Sequence, residues 1–127
     1  MAVLLDTGPF AMLLMNSTKM TAQTRARLRG ETLLVPSIAF FEIAQKVRIG
    51  KWDQMAPFVE TLEETAIDDG FEVIPLTAHL ALKAALLDWN HRDPFDRMIA
   101  ATALQERVPL VSSDRVFDAV GVERVWE

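Results

Sequence analysis

The hydrophobic positions of this chain form short runs that alternate with longer segments of mixed, helix-like character. The short, mostly apolar runs lie at residues 3–5, 33–35, 71–74, 110–111 and 122–126. Such runs, bounded by turn-forming residues, predict β-strands. Strands that are separated by helices are typical of a parallel sheet covered on both faces.

The segments between the strands predict helices. We place them at residues 10–15, 21–29, 38–48, 55–67, 77–88 and 93–107, with a short helical turn at 114–119. Thr77 and Asp93 are predicted N-caps, because their side-chain oxygens can bond to free N–H groups of a first helical turn. The predicted class is α/β, a three-layer α/β/α sandwich with a parallel sheet of four or five strands, formed by a single domain over residues 1–127.

Composition narrows the class of protein. The chain has 127 residues, 50% of them hydrophobic, and no cysteine. A disulfide scaffold, a thiolate zinc site and a cysteine nucleophile are therefore excluded. The N-terminus has no basic start before an apolar stretch, and no apolar run approaches the roughly 18 residues that span a bilayer. We expect a soluble, cytoplasmic protein with no membrane partner.

The formal net charge of the chain is −5 at pH 7. Domains that bind nucleic acids usually carry a basic excess, so this charge argues at first against such a partner. The argument weakens if several acids share one metal site, because bound divalent ions make a negative cluster cationic. Net charge therefore leaves a nucleic-acid partner open.

Two aspartates follow predicted strands. Asp6 comes directly after the first strand, and Asp114 comes after the fourth strand and two serines. In open parallel sheets, ligands bind beyond the carboxyl ends of the strands, so we expect both side chains at the same edge of the sheet. For either residue alone, the simpler interpretation is an N-cap of the helical segment that follows it.

Two further acids lie in the first turns of predicted helices. Glu42 is either an acid that faces the same sheet edge or an exposed partner of Lys46, one helical turn later. Asp96 lies three residues after Asp93, where a carboxylate also complements the helix dipole. Considered alone, Glu42 and Asp96 can each be explained either by a structural role in the helix or by a role in a functional site.

The four acids together are more specific than any one of them. Carboxylates gathered at one sheet edge repel each other unless a counter-charge is present. Hard divalent cations with oxygen ligands, such as Mg²⁺ or Mn²⁺, remove that conflict. Zinc prefers histidine or cysteine ligands, and only His79 and His91 are present. The set therefore predicts a magnesium or manganese site.

In order and spacing, these motifs resemble those of the PIN-domain nucleases, and within them the VapC-type toxins of bacterial toxin–antitoxin pairs. The matching segments cover nearly the whole chain. They are Leu5-Asp6-Thr7, Phe41-Glu42, Asp93-Pro94-Phe95-Asp96-Arg97 followed by Ile99-Ala100-Ala101-Thr102-Ala103, and Ser112-Ser113-Asp114. Ser112 departs mildly from the threonine that is more usual in the family.

The resemblance implies a Mg²⁺- or Mn²⁺-dependent endoribonuclease that hydrolyses RNA phosphodiester bonds as the toxin of a toxin–antitoxin pair. It also implies a homodimer and a cognate antitoxin whose tail covers the active site. One or two ions are expected. The implied catalytic and metal-binding residues are Asp6, Glu42, Asp96 and Asp114.

Roles within this set follow from the same resemblance. Asp6 and Asp96 are expected as the principal ligands, while Asp93 remains the helix cap. The other two acids complete the site, either as ligands or through bound water. Thr7 and Ser112 match positions where the family often has a hydroxyl beside the acids.

Basic residues supply candidate phosphate contacts. Arg97 and Arg115 are the best placed, because each flanks a site acid. Trp52 is a candidate for stacking on a base, although a lone tryptophan more often packs on its own domain. The remaining candidates, each more often an ordinary surface charge, are Arg25, Arg27, Arg29, Lys46, Arg48 and Lys51.

Two alternatives belong to other classes of protein. One is a non-catalytic interaction module of the same fold with an idle acidic site, and the presence of all four acids argues against it. The other is a phosphoacceptor receiver domain. Receivers need an aspartate after the third strand, where this chain has Ile74-Pro75-Leu76. No glycine-rich nucleotide-binding motif is present.

Overall fold

A parallel sheet forms the centre of the protein in the computed structural model, which describes residues 1–126. The strands are Ala2–Leu5 (β1), Thr32–Pro36 (β2), Glu72–Ile74 (β3), Leu110–Val111 (β4) and Arg124–Val125 (β5). They lie in the order β3-β2-β1-β4-β5, and every neighbouring pair is parallel. The predicted parallel sheet is confirmed, with five strands. Glu127, the last residue of the predicted domain, lies outside the described residues.

Helices connect the strands and cover both faces of the sheet. The α-helices are Thr7–Leu14 (α1), Ala22–Leu28 (α2), Ile38–Arg48 (α3), Leu62–Asp68 (α4), Ala78–Leu86 (α5) and Pro94–Glu106 (α6). Two further segments, Asp53–Thr61 and Arg115–Val120, are 3-10 helices. Within residues 1–126, no helix has the length and hydrophobicity that a membrane crossing requires.

The two sides of β1 lead into two separate parts of the core. Val3 and Leu5 pack with Phe10 of α1 and with residues from α2, α3 and α4. Leu4 points to the opposite face and packs with Ile99 of α6. Because side chains alternate across a strand, this pattern requires helices on both faces of the sheet. The predicted α/β/α sandwich is therefore confirmed.

Two helix boundaries differ from the prediction. The first helix begins at Thr7 rather than at residue 10, because Asp6 caps it and Pro9 is tolerated within a first turn. The predicted helix at 55–67 is divided into a 3-10 helix and α4. Pro57 lies inside the 3-10 segment, where it lacks the N–H that a continuous α-helix needs.

The topology places a crevice between β1 and β4. From β1 the chain adds β2 and β3 on one side of the sheet, and it then returns to place β4 on the other side. Leu5 pairs with Val111, so the carboxyl ends of the two strands lie next to each other. In open α/β sheets, ligands bind where the strand order reverses in this way.

Candidate active site

Asp6 lies at the carboxyl end of β1, and its backbone N–H donates to the carbonyl of Val111 at 3.0 Å. Its Oδ1 accepts a hydrogen bond from the backbone N–H of Thr7 at 2.8 Å, which caps α1. Its Oδ2 accepts from the hydroxyl of Ser112 at 2.7 Å. The capping interpretation is correct for Asp6, yet the same side chain also reaches across to the end of β4.

Ser112 joins two of the acids at the end of β4. The residue is fully buried, and its Oγ donates to Asp6 while it accepts from the backbone N–H of Asp114 at 3.0 Å. Asp114 is exposed and caps the following 3-10 helix, since its Oδ1 accepts from Val116 N–H at 3.0 Å. The serine therefore holds the loop that carries Asp114 against Asp6.

Glu42 lies in the second turn of α3 and points toward the start of α1. Its Oε1 accepts a hydrogen bond from the hydroxyl of Thr7 at 2.7 Å. Its Oε2 accepts from Nζ of Lys46 at 2.8 Å, and that ammonium group lies 5.6 Å from the ring centre of Trp52. The predicted pair with Lys46 is thus formed, but the Glu42 side chain is only 14% exposed, so its predicted exposure is wrong.

Asp96 lies in the first turn of α6, one turn beyond the cap of that helix. Asp93 is the N-cap, and its Oδ1 accepts from the backbone N–H groups of Phe95 and Asp96 at 2.9 and 3.3 Å. The carboxylate of Asp96 is left for other partners, and its Oδ2 lies 2.7 Å from Nε2 of His91. The predicted cap at Asp93 is thus confirmed.

Two of the four acids have raised pKa values. Burial raises the pKa of Asp6 to about 6, the bonds from Ser112 and Thr7 oppose the rise, and the negative charges of Asp96 and Glu42 add to it. Burial also raises the pKa of Asp96. His91 opposes that rise, and the charges of Asp93 and Asp114 reinforce it. Asp6 is therefore affected by the charges of Asp96 and Glu42, and Asp96 by those of Asp93 and Asp114.

The carboxylates do not converge on a single point. Among residues 1–126, no three acidic or histidine side chains are close enough to hold a metal ion as they stand. Instead, both oxygens of Asp6 and of Glu42 and one oxygen of Asp96 are bonded to protein groups. Two of these five oxygens face a basic side chain, that of Lys46 or of His91.

Arg97 has a different environment from the one expected for a phosphate contact. Its guanidinium donates to five backbone carbonyls, at distances from 2.6 to 3.1 Å. A guanidinium has five N–H donors, so every one of them is used. The acceptors lie at the end of α5 and in the loop before α6, namely Ala84, Ala85, Leu87, Trp89 and His91.

Three other arginines that the sequence suggested as phosphate contacts have different surroundings. Arg115 is exposed and follows Asp114 in the chain. The hydrogen bond from Arg124 lowers the pKa of Asp118, and the charge of Arg115 adds to that effect. Arg25 donates to the carbonyl of Ser17 in the loop after α1. Arg27 lies 3.4 Å from a carboxylate oxygen of Glu31. Arg25 and Arg27 therefore already have protein partners other than the four acids.

The sequence indicated one of the two basic partners of the acids and missed the other. Lys46 was predicted as one possible partner of Glu42 from its spacing of four residues. His91 was considered only as a zinc ligand. Its contact with Asp96 depends on the path of the loop that Arg97 holds, and nothing local in the sequence reports that path.

Comparisons with known proteins give a consistent result. The family model described as PIN domain matches residues 3–123. No curated protein sequence is significantly similar to the chain. Among solved structures, VapBC2 from Rickettsia felis bound to a promoter DNA fragment matches with a TM-score of 0.69 and 17% identity, covering 98% of each chain.

Two further structures have the same fold at similar distance. DNA-bound VapBC from Salmonella typhimurium has a TM-score of 0.69 and 19% identity, covering 98% of this chain and 97% of the other. FitAcB from Neisseria gonorrhoeae has a TM-score of 0.71 and 19% identity, covering 98% of this chain and 96% of the other. At these identities the likeness shows the fold alone.

Proposed function

Because the chain belongs to the PIN domain family, we propose that it is a divalent-metal-dependent endoribonuclease and the toxin of a toxin–antitoxin pair. PIN domains are generally nucleases, and PIN nucleases generally use divalent metal ions. One observation carries the proposal for this chain. The Ser112 hydroxyl links Asp6 to the loop that carries Asp114, and the charges of Asp96 and Glu42 add to the rise that burial causes in the pKa of Asp6, which supports a shared acidic site at the crevice between β1 and β4.

The chemistry of the donor set supports a hard cation. All four groups are carboxylates, which Mg²⁺ and Mn²⁺ prefer as ligands. A bound cation would also reduce the repulsion between the negative charges of the carboxylates. The side chains must turn to share an ion, because three of them are bonded to Ser112, Lys46 and His91. We propose that Asp6 and Asp96 are the principal ligands and that Glu42 and Asp114 complete the site. When bound, such an ion lowers the pKa of a water molecule and stabilises charge on a phosphodiester.

The chain's own hydroxyl groups orient the acids for this work. Ser112 fixes one oxygen of Asp6 and, through the N–H of Asp114, the loop that carries the fourth acid. Thr7 fixes Glu42 in the same way from the start of α1. Since both bonds are 2.7 Å long, each orients a carboxylate that would otherwise rotate.

Arg115 is our candidate for a phosphate contact next to these acids. It is exposed, and it follows Asp114 directly in the chain. Arg97 is not carried into this set, because its five donors already bind carbonyl groups. We propose instead that Arg97 stabilises the loop that presents His91 to Asp96.

We also propose a cognate antitoxin and a homodimer. The similar structures from R. felis and S. typhimurium are VapBC complexes, and another is described as a toxin–antitoxin complex from Klebsiella pneumoniae. For self-association, Leu82 and Leu86 lie one turn apart on α5, are 64% and 81% exposed, and line the same surface depression, as a contiguous apolar patch would. Multi-angle light scattering of the wild-type protein and of Leu86→Glu tests the dimer. A monomeric wild-type protein would remove it.

The decisive experiment for the enzyme is a cleavage assay on single-stranded RNA with Mg²⁺, with Mn²⁺ and with EDTA. We expect cleavage that needs the metal, and we expect Asp96→Asn to abolish it. Asp93→Asn is the matched control, because asparagine also serves as an N-cap and the residue lies one turn away on the same helix. Sequencing of the cleavage ends identifies the RNA and the bond that is cut.

The alternative is a non-catalytic interaction module with an idle acidic site. It predicts no metal-dependent cleavage by the wild-type protein on any RNA tested. Equal cleavage by the wild-type and Asp96→Asn proteins would remove Asp96 from the mechanism. Loss of activity in both Asp96→Asn and Asp93→Asn would point to damage to α6 rather than to lost chemistry.

A further inference from the structure

A cleft of about 660 Å³ lies along α1. Gly8, in the first turn of α1 directly after Thr7, is part of its lining. Met12, Trp52, Lys19 and Gln54 also line the cleft. This volume lies within the range of pockets that hold single small-molecule ligands, the size class of a nucleotide.

A chain of contacts connects this cleft to the proposed catalytic acids. Thr7, next to Gly8, donates to Glu42, and Glu42 accepts from Lys46. The ammonium group of Lys46 lies over the ring of Trp52, which lines the cleft. Because an ammonium group has three donors and Lys46 uses one for Glu42, two N–H bonds are left for a phosphate oxygen.

Building on the proposed function, we propose that this cleft binds the nucleotide of a single-stranded RNA next to the scissile phosphate. Its base packs against the part of the Trp52 indole that lines the cleft, and Lys46 binds its phosphate. The Lys46 side chain is 41% exposed, so it is open to such a ligand. Trp52 packs against the core with the rest of its ring, which holds the indole in place.

The lining of the cleft favours a nucleotide over an apolar peptide helix. Asn16, Ser17 and Gln54 add polar groups that can bond to a base edge or a sugar, and Lys19 adds a second positive charge. A helix-binding groove needs a continuous apolar floor over several turns. Here the apolar lining consists of Ala11, Met12 and Met15 at a single helix together with Trp52, and five polar or charged residues make up most of the rest. Aromatic contact combined with backbone charge is the usual way in which single strands are bound.

The test measures binding of a short fluorescent oligoribonucleotide by anisotropy at several KCl concentrations, with Ca²⁺ in place of Mg²⁺ to limit cleavage. Lys46→Met is expected to weaken binding about tenfold at low salt and to reduce the slope of log affinity against log salt by about 0.7, as loss of one phosphate contact predicts for a single strand. Lys46→Arg is expected to restore most of both quantities.

Lys83→Met is the matched control, because it removes the same charge from an exposed position on α5. It should change neither quantity. Trp52→Leu is expected to weaken binding about tenfold with an unchanged salt slope, and Trp52→Phe to weaken it less, because stacking does not depend on charge. Far-ultraviolet circular dichroism of each variant checks that the fold is intact.

Unchanged RNA binding by folded Lys46→Met and Trp52→Leu proteins would overturn the proposal and leave the cleft to a protein segment. Equal losses in Lys46→Met and Lys83→Met would also overturn it, because binding would then follow net charge alone. Failure of the nuclease itself has a different signature. In that case the wild-type protein shows no metal-dependent cleavage, whatever the binding data show.

Discussion

Replacement of Asp6 by asparagine is expected to stabilise the metal-free protein near neutral pH, although it removes a proposed principal ligand. The pKa of Asp6 is raised from 3.8 to about 6, mainly by burial and further by Asp96 and Glu42. The folded protein therefore binds a proton at Asp6 more tightly than the unfolded chain does. Asparagine imitates the protonated side chain and still serves as an N-cap for α1.

The sign and size of the effect follow from proton linkage. Between about pH 4 and pH 6 the folded state holds more protons than the unfolded state, so the free energy of unfolding falls as pH rises. A shift of about two pKa units, at about 1.4 kcal/mol each, amounts to about 3 kcal/mol. Above the folded-state pKa, the free energy of unfolding of the wild-type protein is lowered by this full amount. The Asp6→Asn variant has no carboxylate at this position to ionise, so its stability is not lowered.

Urea unfolding of the two proteins in EDTA, near pH 4 and near pH 7.5, measures this cost. The difference in the free energy of unfolding between Asp6→Asn and wild type should rise by up to about 3 kcal/mol between the two conditions. Asp93→Asn is the control, since it changes the same functional group at another helix cap that is exposed. Added Mg²⁺ should stabilise the wild-type protein at pH 7.5 and have less effect on the variant.

One result would refute the reasoning directly. If Asp6→Asn is no more stable than wild type near pH 7.5, then Asp6 is not held at an energetic cost. Burial and the neighbouring charges of Asp96 and Glu42 would then not disfavour the ionised form of Asp6, and the proposed metal site would lose that support. An equal increase in the free energy of unfolding of Asp93→Asn would instead show that the stabilisation comes from the lower overall negative charge.

Three further predictions concern the groups around the acids. Arg97→Met should lower the free energy of unfolding in urea by roughly 3 kcal/mol, because five carbonyls lose their donor. Arg97→Lys should recover little of this loss, since lysine cannot reach all five carbonyls. Full recovery by Arg97→Lys would contradict the prediction. Ser112→Ala should raise the pKa of Asp6 further above about 6 in a carboxyl NMR titration of the metal-free protein, because the lost bond favours the ionised form; a lower pKa would disprove it. Thr7→Val should weaken Mg²⁺ binding about tenfold in calorimetry, as loss of an orienting partner usually does; unchanged affinity would exclude that role for Thr7.

Much of the fold was determined by local features of the sequence. The apolar runs predicted all five strands, although the last was predicted longer than its two residues. Asp93 followed by Pro94 predicted the start of α6 correctly, because a cap depends only on the few residues that it bonds to. Asp6 and Asp114 follow β1 and β4 directly or closely in the sequence, and because these strands are parallel, their carboxyl ends were expected at the same edge of the sheet.

The side-chain partners of the acids were decided by the tertiary structure. Ser112 bonds to Asp6 across a separation of 106 residues, and this contact exists because β4 lies next to β1 in the sheet. His91 reaches Asp96 because Arg97 fixes the path of the loop between them. Strand periodicity and caps arise from neighbours within one turn, whereas the partner of a carboxylate depends on which distant elements pack beside it. The sequence by itself therefore determined that Asp6 and Asp114 follow neighbouring parallel strands and cap the next helical segments, and only the packed structure decided that Ser112 bonds to Asp6 and that His91 contacts Asp96.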